Sequence, residues 1–488
     1  MTQKEMQSIL EIGTAISSEK DYNRLLEMIL NRIMELTHAD AGTLYLADGD
    51  LLRFKIMCNN TMHTCEGGDG KEPNLPPVRM SRENVCAMCY LENRTVCIEN
   101  VQTSTEYDFS GPVRYDAMTG YHPQSMLVVP MHNRQGERLG VIQLINAMDA
   151  AGNICAFPAD IIPAVESVAS QAAITIQNVL YIENIKELFE SFVRVMSSAV
   201  DERTPYNASH TRHMVEYGRH FIDYLNETAK AEGREPWFDA EHRHELLMSV
   251  WLHDIGKLVI PLEVMNKEAR LLPEQKSEIL HRFEKMRLLA QIACLKGAIS
   301  GEALEKRLEE LKQDGDTILR ANTAGFCPDD LREEICRIRE KTYTEEDGSE
   351  KPWLEEEEFQ MLMIRKGTLS EKERAVMESH VVITDKLLSE IRFSKELSHV
   401  REWAASHHEL LNGSGYPEHL MAEQIPMEVR IITILDIFDA LVADDRPYKP
   451  GMPVEKALGI LDIMADKEGK LDLELTRLFR KSRCWEKD

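Results

Sequence analysis

His253-Asp254-Ile255-Gly256-Lys257 follows a helical apolar run, Leu246, Leu247, Val250 and Trp251, and stands far ahead of a second cluster, His407-His408-Glu409 with Gly415-Tyr416-Pro417. A neutral histidine nitrogen is a transition-metal ligand, and an aspartate can bridge two metals through its two oxygens. Lys257 adds a cation suited to a phosphate oxygen. Such residues, on and between helices, point to a domain that holds metal beside a phosphate ester. The expected chemistry is metal-dependent phosphoester hydrolysis.

A chain of 488 residues is too long for one core, so two or three domains are expected. Its 83 acidic against 57 basic residues, a formal net charge of −26, argue against a nucleic-acid polymer as partner, which would need a basic stripe. A small anionic nucleotide stays open, because local cations and metals dominate a pocket. Ten cysteines spread over both halves make no disulfide framework in a chain this long. There is no apolar signal core after Met1 and no long uncharged apolar run. No membrane attachment is expected, and the setting is read as cytoplasmic and reducing.

Residues 6–38 carry apolar side chains at helical spacing (Met6, Ile9, Leu10 and Ile16, then Leu25, Leu26, Ile29, Ile33 and Leu36), which predicts a helix pair. Runs of strand character follow at Ala41–Leu46, Leu51–Met57, Thr95–Ile98, Ser125–Pro130 and Leu139–Ile145, parted by turns such as Asp48-Gly49-Asp50. Helices flanking an antiparallel sheet make an α+β module. Its Ser125-Met126-Leu127-Val128-Val129-Pro130, Gly140-Val141-Ile142-Gln143-Leu144-Ile145-Asn146 and Ala169-Ser170-Gln171-Ala172-Ala173-Ile174 resemble a GAF domain. The resemblance implies a sensor for a small ligand. GAF domains that bind cyclic nucleotides often carry an Asn-Lys…Phe…Asp-Glu signature. Asn146, Phe157 and Asp160 fit it, but Ala147 and Ile161 stand where the lysine and glutamate would be, so the sensor ligand stays open. Cys86-Ala87-Met88-Cys89, with Cys58, Cys65 and Cys97 nearby, reads as buried or incidental thiols, because no second close pair completes a zinc site.

From Val165 to Val200 the pattern is helical without a breaker. Val165, Val168, Ala172, Thr175, Val179, Ile182, Lys186, Phe189, Val193, Met196 and Val200 alternate by three and four, a mostly apolar heptad seam. Residues 164–200, between a sensor domain at 1–163 and an output domain at 201–488, are read as a signalling helix pairing two copies in a homodimer, the alternative being one long helix packed on its own domains. A charged insertion occupies about 268–368. Its Glu302–Lys312 segment reads as an exposed helix and Thr344–Glu358 as an acidic loop.

The output domain resembles the HD-GYP family of cyclic di-GMP phosphodiesterases. The residues that carry this are Thr204-Pro205-Tyr206-Asn207-Ala208-Ser209-His210, His253-Asp254-Ile255-Gly256-Lys257, Leu369-Ser370-Glu371-Lys372-Glu373 leading to His380, His407-His408-Glu409 with Gly413-Ser414-Gly415-Tyr416-Pro417, and Asp436-Ile437-Phe438-Asp439-Ala440-Leu441 with Arg446-Pro447-Tyr448-Lys449. The resemblance implies an all-α domain with His210, His253, Asp254, His380, His407, His408 and Asp436 as metal ligands. Some members add a glutamate four residues before the first histidine and hold a third metal. Tyr206 stands there in this chain, which implies two divalent ions, iron or manganese by the nitrogen and oxygen donor set.

Asp254 is read as the bridging catalytic carboxylate and Lys257 as the catalytic and substrate-binding cation. Gly415, Tyr416 and Pro417 would place an aromatic ring where a guanine stacks, with Arg446 and Lys449 as further cations. Glu409 is read as orienting a neighbouring histidine, and Asp439 as a helix-face partner of Asp436. The expected reaction is hydrolysis of cyclic di-GMP to linear pGpG or onward to GMP, under control of the sensor. Two alternatives are a cyclic dinucleotide receptor with little turnover and a phosphodiesterase for cyclic GMP-AMP. A third, an HD phosphohydrolase for other nucleotides, would need neither the paired His407-His408 nor the Gly-Tyr-Pro turn.

Overall fold

The computed structural model describes residues 15–16, 19, 21–68, 73–109, 120–133, 135–203, 209–443 and 451–486, which fall into two compact units meeting at Phe189/Glu190. The expected helix over residues 6–14, the Thr204–Ala208 motif, Arg446 and Lys449 lie outside the described residues.

The first unit opens with α1 (Tyr22–Thr37), whose N-terminus is capped by Asp21 accepting from the Arg24 amide at 2.8 Å. Then come β1 (Ala39–Asp48), β2 (Leu51–Asn59), β3 (Thr64–Gly67), β4 (Val78–Arg79), α2 (Val85–Glu92), β5 (Val96–Ile98), β6 (Met126–His132), β7 (Arg138–Met148) and β8 (Ile154–Cys155). The sheet runs β3-β2-β1-β7-β6-β5 with antiparallel neighbours throughout. Leu26, Ile29 and Ile33 of α1 pack one face together with Val165, Val168 and Ala172. Val85, Met88 and Cys89 of α2 pack the other. Cover on both faces explains why β1, β6 and β7 read as near-continuous apolar runs and not as alternating strands. The expectation of unpaired thiols is corrected at one place: the β2/β3 register sets Cys58 opposite Cys65, and the two are disulfide-bonded.

Helix α3 (Ile162–Asp201) runs from the first unit into the second. The seam expected from the sequence is displaced. Val165, Val168, Ala172 and Val179 are buried in the first unit's core, and Val193 and Val200 are buried within the second. The exposed apolar stripe is instead Tyr181, Ile185, Leu188, Phe192 and Val195, at four-three-four-three spacing. Burial within the chain claims most of the residues that periodicity assigned to a partner, while Ile182 of the expected seam stays exposed.

The second unit contains α4 (His210–Ala231), α5 (Ala240–Leu252), a 3-10 turn (Ile255–Val259) and α6 (Leu262–Met265). The insertion supplies α7 (Pro273–Leu295), α8 (Gly301–Thr323), α9 (Asp329–Arg339), β9 (Thr342–Thr344), β10 (Glu350–Pro352) and α10 (Glu356–Leu362). Then come α11 (Glu371–Glu378), α12 (His380–Leu388), α13 (Val400–Ala405), α14 (Met427–Val442), α15 (Val454–Asp466) and α16 (Leu473–Ser482). Phe221, Ile222, Val250, Ile432, Leu435, Phe438 and Phe479 centre its main core.

Two expectations change here. Among the described residues the unit is helical apart from the antiparallel β9–β10 ribbon, and Thr344–Glu358 contains part of that ribbon and the start of α10, with Trp353 and Leu354 fully buried in the insertion's own core. The insertion leaves and re-enters at one neck, where the Thr368 hydroxyl donates to the Lys267 carbonyl at 3.0 Å. Arg270, 0 % exposed, closes that neck by donating to the carbonyls of Ile364, Ala321 and Ala324. A hydrogen bond to a charged group is worth about 1.5–3 kcal/mol, and stranded buried carbonyls cost more. Arg270→Met is therefore expected to speed amide exchange across the insertion while leaving α4, α5 and α14 protected. Uniform acceleration throughout the second unit would show that the insertion is not a separate folding lobe.

Candidate metal centre

Three histidines of the cluster are set by one local device. His253 follows the last turn of α5, His380 that of α11 and His407 that of α13, where helix-end carbonyls have no intrahelical partner. Each ring donates Nδ1–H to the carbonyl three residues back: His253 to Val250, His380 to Met377 and His407 to Ala404, all at 2.7 Å. A carbonyl only accepts, so the proton sits on Nδ1 and the Nε2 lone pair faces the cluster.

There the rings converge on Asp254. Its Oδ1 lies 3.4 Å from His380 Nε2 and 3.9 Å from His407 Nε2, and its Oδ2 lies 3.2 Å from His253 Nε2 and 3.8 Å from His210 Nε2. Asp436, on α14, stands 3.3 Å from His210 Nε2 and 3.7 Å from His408 Nδ1. His210 Nδ1 is held by Asp439 at 2.6 Å, so Asp439 anchors the His210 ring. Lys257 Nζ donates to Asp254 Oδ2 and is mostly buried. All seven side chains expected as ligands are brought into one cluster.

The buried Nε2 atoms of His253, His380 and His407 and the Oδ1 of Asp254 have no hydrogen-bond partner. Such atoms cost about 1–3 kcal/mol each when left unmatched. Four of them aimed at one spot fit a bound cation. The donors form two groups, His380 with His407 and His408, and His210 with His253 and Asp254, with ligand atoms inside each group within 4.8 Å of one another. Nitrogen and carboxylate donors of this kind suit a divalent transition ion.

Electrostatics favours the same state. Burial pushes His380 down to about 4, His407 well below the usual histidine range and His408 lower, so these rings are neutral near pH 7. Burial also opposes ionisation of Asp254, yet the Lys257 ammonium beside it holds its carboxyl well below the ordinary value. His210 differs. Burial works against its charge, but the hydrogen bonds to Asp436 and Asp439 outweigh that and push it up to about 10. An ion taken up at Nε2 must displace that proton, so metal loading between pH 7 and 8 should release about one proton per chain. Calorimetry in buffers of different ionisation enthalpy reads this, and a heat independent of buffer would contradict it.

The Gly415-Tyr416-Pro417 turn folds back over the histidine pair. Tyr416 N donates to the His408 carbonyl at 3.2 Å, and its ring lies 4.8 Å from that of His408. Gly415 permits this, since a Cβ there would meet the backbone of His408, Glu409 and Leu410. Glu409 does not orient a histidine as expected. Its buried carboxylate accepts the amides of Glu418 and Leu420 at 2.7 and 2.9 Å and so pins the turn from below. His242, outside the cluster, is bonded to Glu428 at 2.7 Å. His213 reaches Asp439 at 3.4 Å and is 40 % exposed, outside the ligand groups.

Sequence reasoning missed Thr384 and Thr433. Their hydroxyls donate to the carbonyls of His253 and His407 at 3.1 and 2.8 Å. Helical spacing was the available signal, because Thr384 is one turn after His380 and Thr433 one turn before Asp436.

The GAF domain family matches residues 21–176, and the HD domain family matches residues 357–475. The chain carries a GAF domain and an HD domain. The HD match takes in His380, His407, His408 and Asp436, whereas His210, His253 and Asp254 lie upstream of the insertion. Among curated proteins, the chain is 39 % identical over 101 residues to 3'3'-cGAMP-specific phosphodiesterase 3 of Vibrio cholerae, covering 21 % of each chain. It is 40 % identical over 102 residues to the cyclic di-GMP phosphodiesterase response regulator RpfG of Xanthomonas campestris, covering 20 % of this chain and 26 % of that one. A cyclic di-GMP phosphodiesterase of Thermotoga maritima is 33 % identical over 131 residues, 25 % of this chain and 35 % of that one. The chain thus spans between about a fifth and a third of the length of these curated relatives. No helix among the described residues is long and apolar enough to cross a membrane.

Proposed function

We propose that the HD domain hydrolyses a cyclic dinucleotide, cyclic di-GMP first, at the histidine–aspartate cluster. The observation that carries this is the convergence of partnerless buried Nε2 atoms on Asp254 beside Lys257 and the Tyr416 turn. His210, His253, Asp254, His380, His407, His408 and Asp436 would hold two divalent ions, iron or manganese, with Asp254 as the carboxylate that reaches histidines of both groups. When bound, the ions supply an activated water and charge neutralisation at phosphorus. Lys257 gives one of its three N–H donors to Asp254 and has others for a non-bridging phosphate oxygen. Tyr416 offers its ring to a guanine face, with Gly415 and Pro417 shaping the turn. Arg446 and Lys449 are proposed as outer cations for the second phosphate. The product is linear pGpG, with GMP if the second bond is cut.

Cyclic GMP-AMP is the second reading, favoured by the cGAMP-specific relative of Vibrio cholerae. Metal-free chain titrated with manganese tests the whole scheme. Turnover should rise to a plateau at two ions per chain, and equal turnover in chelator would refute it.

The reading extends to control. The GAF domain at 1–163 senses a small ligand, the helix at 164–200 carries the signal, and the domain at 201–488, with its insertion at 268–368, responds in the cytoplasm. Two copies pair along Tyr181, Ile185, Leu188, Phe192 and Val195, a heptad stripe bearing no charge. Leu188→Glu should turn a sedimenting dimer into a monomer. An unchanged sedimentation coefficient would place the pairing elsewhere.

A further inference from the structure

We propose that Thr384 and Thr433 are positioning residues that set the separation between the two ligand groups. The inference rests on the two-metal reading given above. Thr384 is fully buried on α12, one turn beyond His380. Its hydroxyl donates to the His253 carbonyl at 3.1 Å and accepts the Gly256 amide at 3.0 Å. His380 belongs to one ligand group and His253 to the other, so this hydroxyl ties the groups together through the backbone. Gly256 makes the close approach possible, because a Cβ there would run into the His380 carbonyl and the Thr384 amide.

Thr433 makes the corresponding tie on the far side. It is buried on α14, one turn before Asp436, and donates to the His407 carbonyl at 2.8 Å while sharing its proton with Val429 of its own helix at 2.9 Å. Asp436 stands next to His210 of one group and His408 of the other. Both hydroxyls therefore act on ligand backbones, and neither offers itself to a metal. The helix-end carbonyls orient each ring within its own group, but they set no distance between the groups. The threonines supply that distance from two sides.

Valine keeps the β-branched shape and removes only the hydroxyl. The full chain should therefore be loaded with manganese as wild type, Thr384→Val, Thr433→Val and Thr384→Ser, and examined by electron paramagnetic resonance together with steady-state kinetics. Wild type should give the signal of an exchange-coupled pair. Each valine variant should bind manganese but lose or alter that coupling, with kcat lower by roughly 10–100-fold, the usual scale for residues behind the ligands, and KM little changed. Thr384→Ser, which keeps the hydroxyl, should restore the wild-type spectrum.

A wild type that binds two ions, with coupling unchanged in both valine variants, overturns the positioning role alone. So does a serine variant as altered as the valine. A wild type with no coupled pair overturns the two-metal reading and this inference with it. Should Thr384→Val fail to fold, the Thr433→Val and Thr384→Ser spectra decide the matter.

Discussion

Asp254→Asn is expected to lose metal and turnover together. The side chain keeps its shape but gives up the charge that four surrounding histidines and Lys257 converge on. In the wild type, the anion is favoured despite burial because Lys257 stabilises it. The neutral amide would leave Lys257 mostly buried without its counter-charge and present one N–H face towards lone pairs that need a cation. The loss of kcat should exceed the roughly hundredfold drop typical of residues behind the ligands. Metal content per chain, measured after gel filtration, should fall in step. A variant that kept both ions and normal turnover would remove Asp254 from the chemistry.

Gly256→Ala should be nearly as damaging, through packing and not charge. The 3-10 turn at Ile255–Val259 lies against the start of α12, and the added Cβ would collide with the His380 carbonyl and the Thr384 amide. Backbone cannot yield as a flexible side-chain end can. Overpacking of this sort costs about 1–3 kcal/mol and sometimes more. The shift that relieves it must also move His380 away from His253. The expected outcome is a lower melting temperature together with loss of metal binding. A destabilised variant that still bound two ions tightly would show that α12 and the turn are not rigidly coupled.

The seven clustered side chains were legible in the sequence through the motif positions that resemble a known family, each a chemically distinctive residue at a fixed place. A dipeptide such as His253-Asp254 says little alone; its place among the other motifs is what pointed to a metal. The sheet strands were legible because β1, β6 and β7 each carry an apolar stretch, such as Leu44–Ala47, Met126–Met131 and Val141–Ile145 broken only by Gln143. What stayed hidden depends on contacts between distant parts of the chain. The Thr384–His253 and Thr433–His407 bonds join residues far apart in sequence, and a threonine in a helix has no pattern of its own.

Glu409 was misread because adjacency to two histidines suggested a partner for them, whereas the turn at residues 415–420 returns to take its carboxylate. Periodicity along α3 cannot tell a core residue from an exposed one, so it set Val165, Val168 and Ala172 in one seam with the exposed Ile182. Only the packing of Val165, Val168 and Ala172 under the sheet separates them. The insertion's acidic Thr344–Glu358 stretch hid Trp353 and Leu354, two apolar anchors that outweigh the surrounding charge once the lobe has a core to bury them in.

Anaerobic turnover of the full chain tests whether the His210–Asp436 cluster cleaves a cyclic dinucleotide. Protein loaded with ferrous iron or manganese would be given cyclic di-GMP and cyclic GMP-AMP separately, and the products resolved by chromatography. The account expects linear dinucleotide or mononucleotide from at least one of the two, and none from metal-free protein. Tight binding without product in fully metallated protein would contradict it and make the chain a receptor.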